Sequence, residues 1–477
     1  MKALGGPVTR VTAAARCASV WRAVILLVLA FVASACGPNA APAPSDGDTV
    51  QLVVDTDMGP DDVRALMMVA TDPHIDLLAV TVSGTGLARC PTGAANAKAI
   101  LEVLDRPDVP VACGPSAPIA GFNLAPTAWR DAADALAGMS LPVAEPDADG
   151  AVALLSATLA EAESPVTILT LGPLTNLALT LSGNPSLIDG IDRIIAMAGA
   201  FDVGGNTLSF TSPPVAEFNV WFDPVAAEQV LGADIDLTLI PLDATNDVPI
   251  TPLFHAAFEQ VSQDAAPAAQ MLRDHLAAAP FVGGVFHWDD LAAAVVTAPH
   301  LVSIEQRRVS VRVDPGSDIG ATVVRPDGRL VAVAVSADRP AFERYFADAF
   351  GLAELDSSGY SGDAEVTFDG TRCVYDGPDP LPAQLIIKVS NTSDRSGLGV
   401  SAGVYDSGAT AADLEAYWGS QPTAPPYFLT ISMIAPLRAQ TTSYWRFENS
   451  AITTLSCAYD LASGVELAGP RLNPVDD

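Results

Sequence analysis

Four carboxylates fall within eight positions in Asp55-Thr56-Asp57-Met58-Gly59-Pro60-Asp61-Asp62. Like charges this close disfavour one another's ionised forms, and a multivalent cation relieves the repulsion. With only oxygen ligands and no Cys or His among them, the cluster points to a hard cation, Ca²⁺ or Mg²⁺. A solvated helix N-cap is the competing reading, since Asp is favoured at helix starts. It accounts for one or two of the acids and leaves the others unexplained.

The flanking residues say how the acids are held. Val53-Val54 reads as the end of a buried strand and residues 63–70 as a helix. The acids therefore occupy a strand-to-helix turn at the carboxyl end of a strand, where open α/β sheets place their ligands. From Gln51 to about Leu352 short apolar runs alternate with Ala-rich helical stretches. Further strands are predicted at 77–82, 109–111, 166–171, 191–197 and 237–242, with helices over 93–104, 149–162, from 174, and over 223–231, where Pro224 suits a first turn. Such alternation predicts an α/β fold with a doubly wound, mostly parallel sheet. At about Asp356 the texture changes to short β-rich runs at 365–368, 384–389, 400–404, 427–434 and 441–447. They predict a small antiparallel all-β sandwich over 356–477. It loosely resembles cupredoxin-like domains but contains no His, which excludes a blue-copper site.

A chain of 477 residues is long for one domain, and a catalytic domain over 50–353 followed by the β domain is the expected division. The net charge of -32, with Lys2, Lys98 and Lys388 the only lysines, argues against nucleic acid as a partner. Lys2, Arg10, Arg16 and Arg22 precede or border an apolar run at 23–32, followed by Ala33-Ser34-Ala35-Cys36. This resembles a bacterial lipoprotein signal over 1–36, with Cys36 lipidated and 37–49 a disordered tether. An ordinary secretory signal or a single membrane anchor are the alternatives. The lipoprotein and secretory readings place the mature chain outside the cytoplasm, anchored or secreted. Cys90, Cys113, Cys373 and Cys457 remain, and four cysteines allow three pairings. Proximity and domain logic favour the disulfides Cys90–Cys113 and Cys373–Cys457.

Residues from Gln51 to Leu352 resemble the nucleoside hydrolase family. Five segments carry the resemblance, in family order: Asp55 to Asp62; Leu171-Gly172-Pro173-Leu174-Thr175-Asn176; Met197-Ala198-Gly199-Ala200-Phe201 leading to Asn206; Ala216-Glu217-Phe218-Asn219 with Asp223-Pro224; and Trp288-Asp289-Asp290-Leu291. The resemblance implies a Ca²⁺ ion held by Asp57, Asp62, Asp289 and the backbone carbonyl of Leu171, with Asp57 also the general base and Asp55 in support behind it. It implies that Asp61, Asn206, Glu217 and Asn219 hold the ribose hydroxyls. A cation that acidifies water beside a carboxylate base suits hydrolysis through an oxocarbenium-like sugar. Singly, Asn206 reads equally as a turn residue, Glu217 and Asn219 as one strand face, and Asp289 as an N-cap. Family members are often dimers or tetramers, so a homo-oligomer is the expectation.

In the inosine-uridine-preferring branch a His precedes the last calcium Asp and protonates the base. Here Trp288 fills that slot and His287 stands one position earlier. This is similar to the purine-preferring branch, where aromatic stacking raises the proton affinity of the base. Trp129 falls near that branch's other stacking Trp, so the expectation is a purine sandwiched by Trp129 and Trp288, with His287 a second candidate acid. The second strand leads to Ser83-Gly84-Thr85-Gly86, where the family has Gly-Asn or an Asp-containing loop on the ribose. Thr85 cannot match a carboxamide in bidentate hydroxyl binding.

The first reading is thus a lipid-anchored, calcium-dependent ribonucleoside N-ribohydrolase for purine salvage. The second is a surface lipoprotein that captures a nucleoside or sugar without turnover, a reading the Thr85 loop allows and Asp57 opposes. A dehalogenase-like phosphatase also begins with Asp-x-Asp, but it needs a later Lys near the phosphate, and Lys98 in an early helix is the only lysine of this region.

Overall fold

The computed structural model describes residues 49–121, 123–207, 215–278 and 285–352, with the strands and some short stretches between 355 and 468. At its centre is β1 (Val50–Thr56), whose last five residues are all buried. It pairs in parallel with β2 (Ile75–Val82) on one side and β5 (Val166–Thr170) on the other. A strand covered on both faces must be apolar throughout, and Leu52-Val53-Val54 meet that need. Successive side chains take opposite faces. Leu52 and Val54 join one core with Leu66 and Met67, while Val53 joins the other with Leu155 and Ile168.

The ten-stranded sheet has the order β4-β3-β2-β1-β5-β6-β7-β10-β8-β9. From β1 the chain winds one way through β2, β3 (Val111–Cys113) and β4 (Ala148–Asp149). It then returns beside β1 with β5 and runs the other way through β6 (Ile191–Ala196) and β7 (Leu237–Leu239). This is the doubly wound, mostly parallel sheet that the sequence predicts. The reversal between β1 and β5 is a topological switch point, and the crevice beyond their carboxyl ends is open to a ligand.

The helices that alternate with these strands and follow them are α1 (Pro60–Thr71), α2 (Thr92–Val103), α3 (Thr127–Asp134), α4 (Ala151–Glu161), α5 (Thr175–Gly183), α6 (Phe218–Phe222), α7 (Pro224–Leu231), α8 (Leu242–Thr245), α9 (Pro252–Glu259), α10 (Pro267–Ala278) and α11 (Trp288–Thr297). Helix α1 follows β1 directly, with Pro60 at its first position and Val63, Leu66, Met67 and Val69 buried. Pro is favoured there because its missing N–H has no intrahelical role. Each of those apolar side chains contributes on the order of 1.5–3 kcal/mol of burial, and Leu66→Ala would cost about 2–5 kcal/mol.

Several strand boundaries differ from the sequence reading, two of them because of a proline. Pro110 has no N–H for the ladder, so β3 begins at Val111 and runs to Cys113. Pro241 likewise ends the apolar run after β7, and α8 starts at Leu242. The far edge, β8 (Val302–Val311), β9 (Thr322–Val324) and β10 (Arg329–Ala337), is antiparallel except where β10 meets β7. The alternation pattern gives no sign of it. Helix α12 (Arg339–Ala349) closes this part. Cys90 and Cys113 lie at disulfide distance, with Cα atoms 5.6 Å apart. Cys36 and the signal segment lie outside the described residues, as do the side chains of Cys373 and Cys457.

Beyond 355 the chain forms two four-stranded sheets. One has the order β12-β11-β13-β16 and the other β15-β14-β17-β18. The first comprises β11 (Ala364–Phe368), β12 (Cys373–Asp376), β13 (Gln384–Asn391) and β16 (Thr441–Glu448). The second comprises β14 (Gly399–Tyr405), β15 (Phe428–Met433), β17 (Thr454–Tyr459) and β18 (Leu467–Ala468). The β11–β13 pair is parallel, not antiparallel as the sequence reading has it. Among the described residues no helix is long and apolar enough to cross a membrane.

Candidate active site

The turn after β1 reverses through Met58, whose φ of 58° is left-handed, and delivers the chain into α1. Asp62 sits at the third position of α1, and its carboxylate accepts from the backbone N–H of Asp57 at 3.0 Å and of Gly59 at 2.9 Å. The Thr56 hydroxyl also donates to it. Asp57 accepts from Gly59 N–H at 3.3 Å and Leu87 N–H at 3.2 Å. It is also hemmed in by two glycines: a Cβ on Gly86 would lie 2.0 Å from its Oδ2, and one on Gly172 would lie 2.8 Å from its Cβ. The loops after β2 and β5 thus approach the same carboxylate closely enough to need glycine.

Burial, then the charges of Asp62 and Asp61, push the Asp57 carboxyl well above the usual carboxylate range. Burial and Asp62 lift Asp61 to about 7, and burial, Asp61 and Asp62 raise Asp289 well above its ordinary value. Carboxylate oxygens of Asp61, Asp62 and Asp289 lie within 4.8 Å of one another. Asp61, which the sequence reading assigns to ribose, therefore shares the cluster. Behind it, Asp55 Oδ1 accepts from Thr81 Oγ1 at 2.8 Å and from Asn176 Nδ2 at 2.7 Å. Burial outweighs these bonds and raises Asp55 to about 7.

Asp289 and Asp290 lie in the first turn of α11, and only the first belongs to the acid cluster. Asp290 Oδ2 receives Arg64 Nη2 at 2.9 Å and faces His287 Nδ1 at 2.7 Å. Against the upward push of burial, the Arg64 guanidinium and the His287 ring hold Asp290 below its usual value.

The loops after β6 supply the remaining polar groups. Glu217 accepts from the backbone N–H groups of Gly199, Asn219 and Val220, yet burial raises it to about 7. Asn219 Nδ2 donates to the carbonyls of Leu171 at 2.9 Å and Met197 at 3.0 Å. Asn206 Oδ1 accepts from Phe218 N–H at 2.9 Å.

The acids and amides nearest the turn open onto one cavity of about 370 Å³. Asp57, Asp61, Asp62 and Asp289 meet there with Leu171, Asn206, Glu217 and Asn219, and with the aromatic rings of Trp129, Phe218, Phe286 and Trp288. Trp129 on α3 is 42% exposed and packs on Phe218 at 5.8 Å between ring centroids. Trp288 packs on Phe286 at 5.9 Å, and its Nε1 is buried without a hydrogen-bond partner.

The expected acid His287 does not line the cavity, and neither does Thr85, the departure from the family pattern. His287 is turned into the core among Phe254, Phe342 and Phe346, with centroid distances of 4.6, 5.0 and 5.4 Å. Thr85 is fully buried, its hydroxyl 2.6 Å from Ser83 Oγ and 3.1 Å from Thr175 Oγ1. Two lining histidines escape sequence reading, His255 on α9 and His275 on α10. Burial, then Arg64, lowers both to about 4, so both rings are neutral. His275 Nε2 lies 2.9 Å from the Pro60 carbonyl, which can only accept, so Nε2 carries the proton.

The sequence model of the inosine-uridine preferring nucleoside hydrolases matches residues 52–344. The chain belongs to this family. This nucleoside hydrolase is 33% identical over 313 residues to the pyrimidine-specific ribonucleoside hydrolase RihA of Escherichia coli O81 (strain ED1a), covering 62% of this chain and 97% of RihA. Its fold is similar to that of the inosine-uridine preferring nucleoside hydrolase from Bacillus anthracis, with a TM-score of 0.56 and 26% identity over 63% of this chain and 99% of the other. The purine-preferring ribonucleoside hydrolase from Gardnerella vaginalis is similar too, with a TM-score of 0.55 and 26% identity over 63% of this chain and 98% of the other. This nucleoside hydrolase is thus an enzyme of ribonucleoside hydrolysis.

Proposed function

We propose that the enzyme cleaves the N-glycosidic bond of purine ribonucleosides, releasing ribose and the free base, with Ca²⁺ as its metal. The observation that carries this is the meeting, in one cavity, of a buried carboxylate cluster with tryptophan and phenylalanine rings. The acids fit a hard cation: the donors are all oxygen, they are close together, and burial makes their joint charge costly without a counter-charge. Asp57, Asp62, Asp289 and the Leu171 carbonyl would hold the ion, with Asp61 beside them. A bound Ca²⁺ supplies Lewis acidity, which makes water a better nucleophile near neutral pH.

The protein's own groups do the rest. Asp57 takes the proton of the attacking water, a role that suits a carboxylate beside the ion and held in place between Gly86 and Gly172. Asn206, Glu217, Asn219 and Asp61 hold the ribose hydroxyls and fix the attacked carbon. Trp129 and Trp288 flank the base, with the dry aromatic surface favouring a two-ring purine. His287, packed away from the cavity, has no part in this scheme. The lipid on Cys36, an extracytoplasmic location and a homo-oligomer belong to the same proposal, supported by the sequence alone. Mass spectrometry of the mature N-terminus tests the lipid, and light scattering the assembly.

The function is tested by incubating the protein with inosine, guanosine, adenosine, uridine and cytidine, with Ca²⁺ and after chelation. Ribose release from purine nucleosides, lost on chelation and in Asp57→Ala, is expected. Preferential cleavage of uridine and cytidine would align the enzyme with RihA and remove the purine claim. Retention of nucleoside without cleavage would favour a binding protein.

A further inference from the structure

The family match ends at residue 344, and 97% of RihA is matched by 62% of this chain, so the C-terminal sheets are additional to what the two share. In the β13–β16 pair Lys388 stands opposite Tyr444 and Ile386 opposite Arg446. Period-two alternation places these four on one face of the sheet and Ile387, Val389 and Trp445 on the other. The face bearing Tyr444 is turned onto the catalytic part. Tyr444 is 1% exposed within the core that also holds Leu66 and Met67, and its hydroxyl donates to the Tyr360 carbonyl at 2.7 Å.

Two residues on, Arg446 and its cross-strand partner Ile386 close a pocket of about 230 Å³ against Pro252, His255 and Glu259 of α9 and Leu276 of α10. His255 and Leu276 also line the active-site cavity. The same two side chains therefore bound both spaces, with substrate room on one side and the C-terminal sheet on the other. After burial, Arg64 and His287, the Arg446 charge is a further cause that keeps the His255 ring neutral, which places that guanidinium in electrostatic reach of the cavity wall.

We propose that Arg446 and Ile386 are positioning residues of the active site: through His255 and Leu276 the C-terminal sheet shapes the part of the cavity that receives the leaving base. Neither wall residue belongs to the acid and amide set assigned to ion and ribose, so the base is what they meet; this rests on the ribonucleoside hydrolase reading of the cavity. An appended domain then takes part in choosing the base, and choice is not left to the matched part alone.

The test uses the full chain with Arg446→Ala, Ile386→Ala and Arg446→Lys, read by kcat and KM for inosine and uridine, inhibition by free ribose, and Tm. The inosine-to-uridine ratio of kcat/KM should shift by about threefold or more in both alanine variants, largely through KM, with ribose inhibition within about twofold of wild type and Arg446→Lys closer to wild type. A sheet that merely covers the catalytic part would lower Tm and leave the ratio alone, and an unchanged ratio in both folded alanine variants overturns the proposal. Should wild type release ribose from neither nucleoside, the functional reading fails by itself, and the His255 ring-proton resonance then decides the coupling. Its displacement in Arg446→Ala sustains the link, and its invariance ends it.

Discussion

The side-chain amide of Asn219 donates to the Leu171 carbonyl at 2.9 Å and to the Met197 carbonyl at 3.0 Å. One side chain on α6 thus ties together the residues that follow β5 and β6, on either side of the proposed ribose site. Asn219→Leu leaves two buried carbonyls without this donor, at a cost of about 1–3 kcal/mol each. A fall of several degrees in Tm is expected, at about 2 °C per kcal/mol or less for a chain of this size, together with a large rise in KM. Calorimetry and steady-state kinetics on one preparation check both; a stable variant with unaltered KM would separate Asn219 from the sugar.

Gly86 lies directly against the Asp57 side chain. Because a Cβ there would lie 2.0 Å from Asp57 Oδ2 and 2.4 Å from its Cβ, Gly86→Ala must displace either the carboxylate or the loop. Overpacking of this kind costs about 1–3 kcal/mol. The larger effect is on chemistry, since displacing a general base loses about 10²–10⁴-fold in rate. Near-normal kcat in Gly86→Ala would mean that the loop yields and the Asp57 carboxylate keeps its place.

Asp290 and Arg64 form a buried pair, with side chains 0% and 6% exposed and Nη2 to Oδ2 at 2.9 Å. Asp290→Asn keeps the shape but removes the nearest of the Arg64 counter-charges, leaving Asp61 and Asp289; breaking a buried pair from one side costs up to about 3–5 kcal/mol. Chemical denaturation should show the loss. The double variant Asp290→Asn with Arg64→Met should recover part of it, and no recovery would place the cost elsewhere.

How much of this is legible in the sequence depends on whether a residue's role is local. Asp55, Asp57 and Asp62 declare themselves because strand, turn and helix start are consecutive in the chain. Asp289 is found only through a family segment more than two hundred residues away, since a single Asp at a helix start means little. His255 and His275 are illegible: each sits on an amphipathic helix whose pattern predicts burial, and only tertiary packing turns them toward Pro60 and the cavity. Trp288 and His287 show the converse. The sequence offers both, and the first turn of α11 decides between them by sending one ring to the cavity and the other to Phe254. The parallel β11–β13 pair is equally invisible, because strand partnership is not written in strand composition.

The pH response of the metal-free protein follows from the buried acids. Asp55, Asp61 and Glu217 are raised to about 7, burial being the first cause in each. Unfolded, they titrate at ordinary values of roughly 4. Between those limits the folded chain binds more protons than the unfolded one, so stability is greatest below about pH 4 as far as these groups act, and falls as pH rises through about 7. A decline in the Tm of chelated protein from pH 5 to pH 8 is therefore expected. Ca²⁺ binding should release protons, tighten with pH and raise Tm more at pH 8 than at pH 5. Equal Ca²⁺ stabilisation at both values would mean that the ion does not replace protons on these carboxylates.

Trp129 and Trp288 allow a test of whether base recognition is separate from the chemistry of the sugar. Trp129 is 42% exposed and rests on Phe218, so Trp129→Ala should change stability little. Trp288 opens α11 one residue before Asp289, so Trp288→Phe is the gentler probe there, keeping an aromatic face and removing the unpartnered Nε1. If the two rings flank the base, Trp129→Ala should weaken purine nucleosides by about 0.5–1.5 kcal/mol beyond lost area, or up to about tenfold in kcat/KM, and pyrimidine nucleosides less. Free ribose should inhibit wild type and Trp129→Ala equally if, as proposed, its hydroxyls meet Asn206, Glu217 and Asn219 instead. Equal losses for inosine and uridine would place Trp129 at the rim of the cavity, outside the base site.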